Sequence, residues 1–184
     1  KLRRNSCKPN EIILTTGIHG LSKLGLMIKS KTIFDSDIEL SHSLINSSLQ
    51  QFCRPKLKPK FLKKILKTRT NKSIKMIGCT DSSDGLFQAL LDLATESNCK
   101  AIIDYAKVPK HKNWPTGNKW DEYYFFGGED YELVFSLPRK WANNLLNEDK
   151  TITEIGYFQE GEASVDFKNC KNKSLFKNKS FSHF

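Results

Sequence analysis

The stretch Ile77-Gly78-Cys79-Thr80-Asp81-Ser82-Ser83-Asp84-Gly85-Leu86 constrains the fold more than any other. An apolar run from Ile74 to Ile77 carries the chain as a strand into Asp-Ser-Ser-Asp-Gly. Directly afterwards Leu86, Leu90, Leu93 and Ala94 recur at helical spacing. A strand must therefore run straight into an amphipathic helix, with Asp81, Asp84, two hydroxyls and one glycine at the junction. Backbone N–H groups at a helix start are unpaired and favour anions. Two uses of these residues stay open at this point. Asp81, Ser83 or Asp84 can cap the helix, because Ser and Asp are preferred there. Alternatively the two carboxylates converge on one hard cation, and Ser82 or Ser83 meets a phosphate oxygen.

At 184 residues, with 38% hydrophobic and 11% aromatic residues, the chain is long and apolar enough to bury a core. The net charge of +10 invites a nucleic-acid reading. Against it, 25 of the 30 basic residues are Lys and only five are Arg, whereas base-edge readout leans on Arg. With 13 Asn, the Lys excess fits an A/T-rich coding sequence, so a basic nucleic-acid-binding module is the lesser alternative. Five cysteines, Cys7, Cys53, Cys79, Cys99 and Cys170, are widely spaced and form no C-x-x-C. Neither a zinc site nor a disulfide framework is indicated, and a reducing cytoplasm is the expected compartment. No apolar run approaches membrane length, and the basic start lacks a signal-type apolar core. The chain begins with Lys1 and enters a strand-like run almost at once, as the later part of a longer polypeptide would.

Taken in order, Glu11 to Thr16 reads as a strand and Gly17-Ile18-His19-Gly20 as a tight turn. Ser22 then stands where it can cap a helix carrying Leu24, Leu26 and Met27. Ser36 to Phe52 reads as a helix, broken by Arg54-Pro55-Lys56-Leu57-Lys58-Pro59. A second amphipathic helix sets Phe61, Leu62, Ile65 and Leu66 against a solvated lysine face. Lys100 to Asp104 reads as a strand, followed by a polar, aromatic connection. In Tyr123 to Phe135 two apolar runs flank Gly127-Gly128-Glu129-Asp130, a pattern that a hairpin turn would also produce. Short strands are expected around Ile152 to Phe158 and Ser164 to Phe167.

Four segments occur together in order: Arg4 with Lys8-Pro9-Asn10-Glu11, the turn from Thr16 to Leu26, Asp81-x-Ser83-Asp84-Gly85-Leu86, and Gly127-Gly128-Glu129-Asp130-Tyr131-Glu132-Leu133. With Arg54-Pro55 and the terminal aromatic-x-His183-Phe184, the chain resembles the C-terminal half of the thiamine-monophosphate kinases, of the aminoimidazole-ribonucleotide-synthetase superfamily. The resemblance implies phosphorylation of thiamine monophosphate to thiamine diphosphate by ATP with Mg²⁺. It assigns metal binding to Asp81 and Asp84, ATP contacts to Ser83 and Arg4, and contacts with the thiamine moiety to Glu129 and Phe181. It further implies a homodimer at full length and an N-terminal half, absent from residues 1–184, that supplies more metal ligands and phosphate contacts. A sibling ATP-dependent enzyme with another acceptor is the nearest alternative.

The implied fold is α+β: a three-layer α/β/α domain around a mixed, partly antiparallel sheet, with Asp81 to Asp84 at a sheet edge. Three departures stand out. Ser82 replaces a usual apolar residue, so that strand end is expected to be less buried. Asn10-Glu11 replaces Gly-Asp, and Phe126 replaces a small residue before Gly127.

Overall fold

A computed structural model describes residues 1–32, 39–67, 76–170 and 173–176. Their strands are β1 (Leu2–Arg3), β2 (Ile12–Thr16), β3 (Ile77–Asp81), β4 (Lys100–Asp104), β5 (Leu133–Leu137), β6 (Ile152–Gln159) and β7 (Ser164–Lys168). Their helices are α1 (Leu21–Lys29), α2 (His42–Cys53), α3 (Pro59–Lys67), α4 (Leu86–Glu96), α5 (Asn118–Phe126) and α6 (Arg139–Glu148). Short 3₁₀ turns follow β1 and β4, and a third spans Lys173–Phe176.

The strands form one sheet in the order β1-β3-β5-β2-β6-β4-β7. Its two outer pairings, β1 with β3 and β4 with β7, are parallel, and the inner ones are antiparallel. Because side chains alternate across a strand, β2 sends Ile12 and Leu14 to one face and Ile13 to the other, and all three are buried. One face packs against α1, α2, α4 and α5 through Leu24, Leu44, Leu90 and Phe125. The opposite face packs against α3 and α6 through Phe61, Ile65, Trp141 and Leu145. This is the expected three-layer arrangement around a mixed sheet. No helix among the described residues is long and apolar enough to cross a membrane.

The register gathers several strand termini at one end of the sheet. Asp81 pairs with Leu133, Thr15 with Val134, and Thr16 with Ile152. The last residues of β2 and β3 therefore lie beside the first residues of β5 and β6. The short β1 pairs only with Ile77 and Gly78, which leaves the outer side of β3 from Cys79 to Asp81 without a neighbouring strand among the described residues.

Four local readings need correction. Tyr123 to Phe126 is the last turn of α5 rather than half of a hairpin, because Trp120 and Tyr124 stand one helical turn apart and are both buried. Ser22 lies inside α1; Gly20 occupies the N-cap with φ +80°, which a glycine adopts without steric cost. Helix α2 starts at His42 behind the capping hydroxyl of Ser41, while residues 36–38 and Ile74 lie outside the described residues. Ser82 is fully buried, not exposed: its N–H donates to the Glu132 carbonyl (2.8 Å) and its Oγ accepts from the Glu132 N–H (3.2 Å). Those bonds satisfy the polar atoms and offset the cost of burying them.

Candidate functional site

The turn from β3 to α4 carries Asp81, Ser83 and Asp84, all half-buried. The helix start is not closed by either acid. Gly85 is the N-cap, at φ +93°, with no side-chain capping bond. Ser83 Oγ donates to Asp81 Oδ1 at 3.2 Å, and neither Asp81 nor Asp84 is in an ion pair among the described residues. Of the two uses left open by the sequence, capping is therefore removed.

Arg4 reaches the same edge from the turn after β1. Its Nε donates to Thr80 Oγ1 at 3.1 Å, and its Nη1 lies 3.4 Å from Asp92 Oδ2 on α4. The guanidinium thus bridges β3 and α4 one residue before Asp81 while its side chain stays 53% exposed.

The segment Gly127 to Glu132 packs directly on this turn. The Glu129 N–H donates to the Ser83 carbonyl at 2.8 Å. Gly128 lies so close that a Cβ there would sit 2.3 Å from the same carbonyl oxygen. The acids that follow are sorted by burial: Glu129 is exposed, whereas Asp130 and Glu132 are buried. The Asp130 carboxylate accepts from the N–H groups of Gly20 (2.5 Å) and Ser22 (2.8 Å) at the start of α1. Burial pushes its pKa up to about 7 against the lowering effect of those donors. Glu132 accepts from Thr16 Oγ1 and pairs with Lys58 at 3.2 Å. Of these three acids, Glu129 alone is exposed. Tyr131 beside it is half-buried, and its phenol is held above its ordinary pKa first by the Glu129 carboxylate, then by burial and by Asp81 and Asp84.

The structure therefore brings Arg4, Asp81, Ser83, Asp84 and Glu129 to one end of the sheet. Phe181 lies outside the described residues. Sequence reasoning missed Tyr131 and the separate task of Asp130. Strand alternation could not have found them, because Glu129 and Tyr131 are left-handed rather than extended and the partners of Asp130 lie more than a hundred positions away.

Asp81 and Asp84 supply oxygen donors only, which suits a hard cation. No group of three His, Cys, Asp or Glu able to hold a metal occurs among the described residues. Two carboxylates would make up only part of a coordination shell, a donor set that fits Mg²⁺, which keeps several waters and takes phosphate oxygens beside one or two carboxylates. On the opposite face of the same sheet end lies an open cavity of about 440 Å³, lined among others by Thr16, Lys58, Phe61, Lys64 and Thr151. Its lysines are committed, Lys58 to Glu132 and Lys64 to Asp149 at 2.9 Å.

The chain matches the family of AIR synthase related protein, C-terminal domain, over residues 8–168. It is 34% identical over 183 residues to a thiamine-monophosphate kinase of Prochlorococcus marinus, covering all of this chain and 55% of that protein. Among solved structures, it superposes with a TM-score of 0.74 on thiamine-monophosphate kinase from Stenotrophomonas maltophilia, at 21% identity over 90% of this chain and 52% of that one. It superposes with a TM-score of 0.68 on AaThiL complexed with AMPPCP and TMP, at 27% identity over 94% of this chain and 52% of that one. The chain thus spans about half the length of the relatives it matches. With the family model covering residues 8–168 and the same fold recurring in these structures, the chain belongs to the AIR synthase related proteins and carries their C-terminal domain.

Proposed function

We propose that this chain is the C-terminal half of an ATP-dependent kinase that converts thiamine monophosphate to thiamine diphosphate in the cytoplasm, working as a homodimer at full length. The observation that carries the reading is the convergence of Asp81, Ser83, Asp84 and Glu129, from two separate stretches, at one end of the sheet. The kinase relatives and the AMPPCP and TMP complex supply the substrate class.

Asp81 and Asp84 would hold Mg²⁺, with Ser83 and Arg4 directed to ATP. When bound, the metal would supply neutralisation of phosphate charge. The acceptor phosphate is largely ionised at neutral pH, so these residues need provide no strong general base. Their work is positioning: Arg4 clamps a phosphate, and Glu129 accepts from an amino group of the thiamine moiety or pairs with its cationic ring. Phe181 completes the thiamine contacts by stacking. The N-terminal half supplies the remaining ligands and phosphate contacts.

The test extends the coding sequence upstream and assays the product with ATP, Mg²⁺ and thiamine monophosphate beside its Asp84→Asn variant. The parent is expected to form thiamine diphosphate and the variant to lose activity on the order of 100-fold. Product with an unaffected variant would return Asp84 to a structural role. No product from the parent would sink the substrate assignment in favour of another acceptor.

A further inference from the structure

We propose that Asp130 is the positioning residue for ligand recognition by Glu129, an inference that rests on the thiamine-binding role given to Glu129 above. Helix α1 has no capping side chain of its own at Gly20. The cap comes from Asp130, 110 positions later, whose carboxylate spans Gly20 N and Ser22 N. Three further bonds hold the same few residues. Ser22 Oγ donates to the Glu129 carbonyl at 2.8 Å, Gln51 Nε2 on α2 donates to the Asp130 carbonyl at 2.7 Å, and Glu129 N donates to the Ser83 carbonyl.

These bonds hold a strained segment in place. Glu129 and Tyr131 both adopt the left-handed conformation, at φ +70° and +53°, with Asp130 between them. Non-glycine residues keep such dihedrals only where their surroundings over-determine them. Asp130 and Glu132 are turned inward and tied down, while Glu129 stays exposed with its N–H on the carbonyl of Ser83, the residue before Asp84 in the β3–α4 turn. Asp130 is buried and so meets no ligand itself. It converts the rigid start of α1 into a fixed height and direction for the Glu129 carboxylate, which a recognition contact requires.

The experiment is steady-state kinetics on the full-length protein with the variants Asp130→Asn, Glu129→Gln and the two combined. Asp130→Asn is expected to raise KM for thiamine monophosphate about tenfold, as loss of an orienting partner does, and to leave KM for ATP within about twofold. In the Glu129→Gln background the same change is expected to add little, because the residue it orients is already disabled. An unchanged KM for Asp130→Asn with a lowered melting temperature would overturn the inference, as would fully multiplicative effects in the double variant. If Asp130→Asn fails to fold, Ser22→Ala, which removes the hydroxyl's bond to the Glu129 carbonyl and its contact with the Asp130 carboxylate while keeping the backbone N–H bonds to Asp130, carries the expectation as a KM raised about threefold; no change there overturns it. Glu129→Gln without any effect on KM would instead remove the reading of Glu129 itself.

Discussion

Glu129, Asp130 and Glu132 are chemically near-identical side chains within four positions, and burial together with the partners each meets gives them different tasks. Other residues likewise take their roles from the surrounding structure. Asn10 takes φ +69°, a conformation Asn tolerates better than most residues. Phe126 packs with tilted rings against Phe87 (5.1 Å) and Phe176 (6.0 Å). His19 is fully buried with Nε2 2.7 Å from Thr15 Oγ1, and burial lowers its pKa to about 3. Between pH 3 and its ordinary 6.5, the unfolded chain binds a proton at His19 that the folded chain does not, so this group's contribution to stability falls as pH falls. Asp130 acts oppositely: its folded pKa of about 7 exceeds 3.8, so its contribution falls as pH rises through that window. His19→Gln should cancel the first effect only. Relative to the parent, its stability should rise as pH drops from 6.5 to 4.5, by up to about 1.4 kcal/mol per pH unit. Urea midpoints at both pH values measure this, and parallel pH dependences would contradict it.

At the scale of elements, the site is a contact between two connections: the β3–α4 turn and the α5–β5 segment. Gly128 is the point of closest approach, and its missing Cβ is what lets Glu129 N bond to the Ser83 carbonyl. Its backbone is not left-handed, so the demand for glycine here is purely one of space. Gly128→Ala would drive a methyl into a backbone oxygen that belongs to a short, fixed turn. We expect a loss of about 2 kcal/mol in stability, typical of overpacking, together with a weakened response to thiamine monophosphate. Chemical denaturation beside the kinase assay checks both, and a variant with parental stability would show that the two connections can part without cost.

At the scale of the whole molecule, two carboxylates and one arginine stand at a sheet edge, and no group of three His, Cys, Asp or Glu able to hold a metal forms among the described residues. The chain spans about half the length of its relatives. The isolated 184 residues are therefore expected to give no thiamine diphosphate under conditions where the upstream-extended protein does. Turnover by the isolated chain, followed by product chromatography, would show that these residues hold a complete site.

The sequence by itself determined the elements whose periodicity is unambiguous. Strands β2, β4, β6 and β7 and helices α3 and α4 fall within a few residues of their patterns, because alternation and helical spacing are local properties of the chain. It also determined the residue types at the site, since the two acidic segments are contiguous in sequence. Tertiary structure decided the rest. Tyr123 to Phe126 became helix because burial of Trp120 and Tyr124 on one face outweighed the strand propensity of aromatics. Ser82 became a core residue because Glu132, fifty positions later, satisfies its polar atoms. The division of labour among Glu129, Asp130 and Glu132 was likewise settled by long-range partners: Gly20 and Ser22 for Asp130, Thr16 and Lys58 for Glu132, and none of these for Glu129. A carboxylate's task depends on what desolvates it and what donates to it, and both arrive only when distant segments meet.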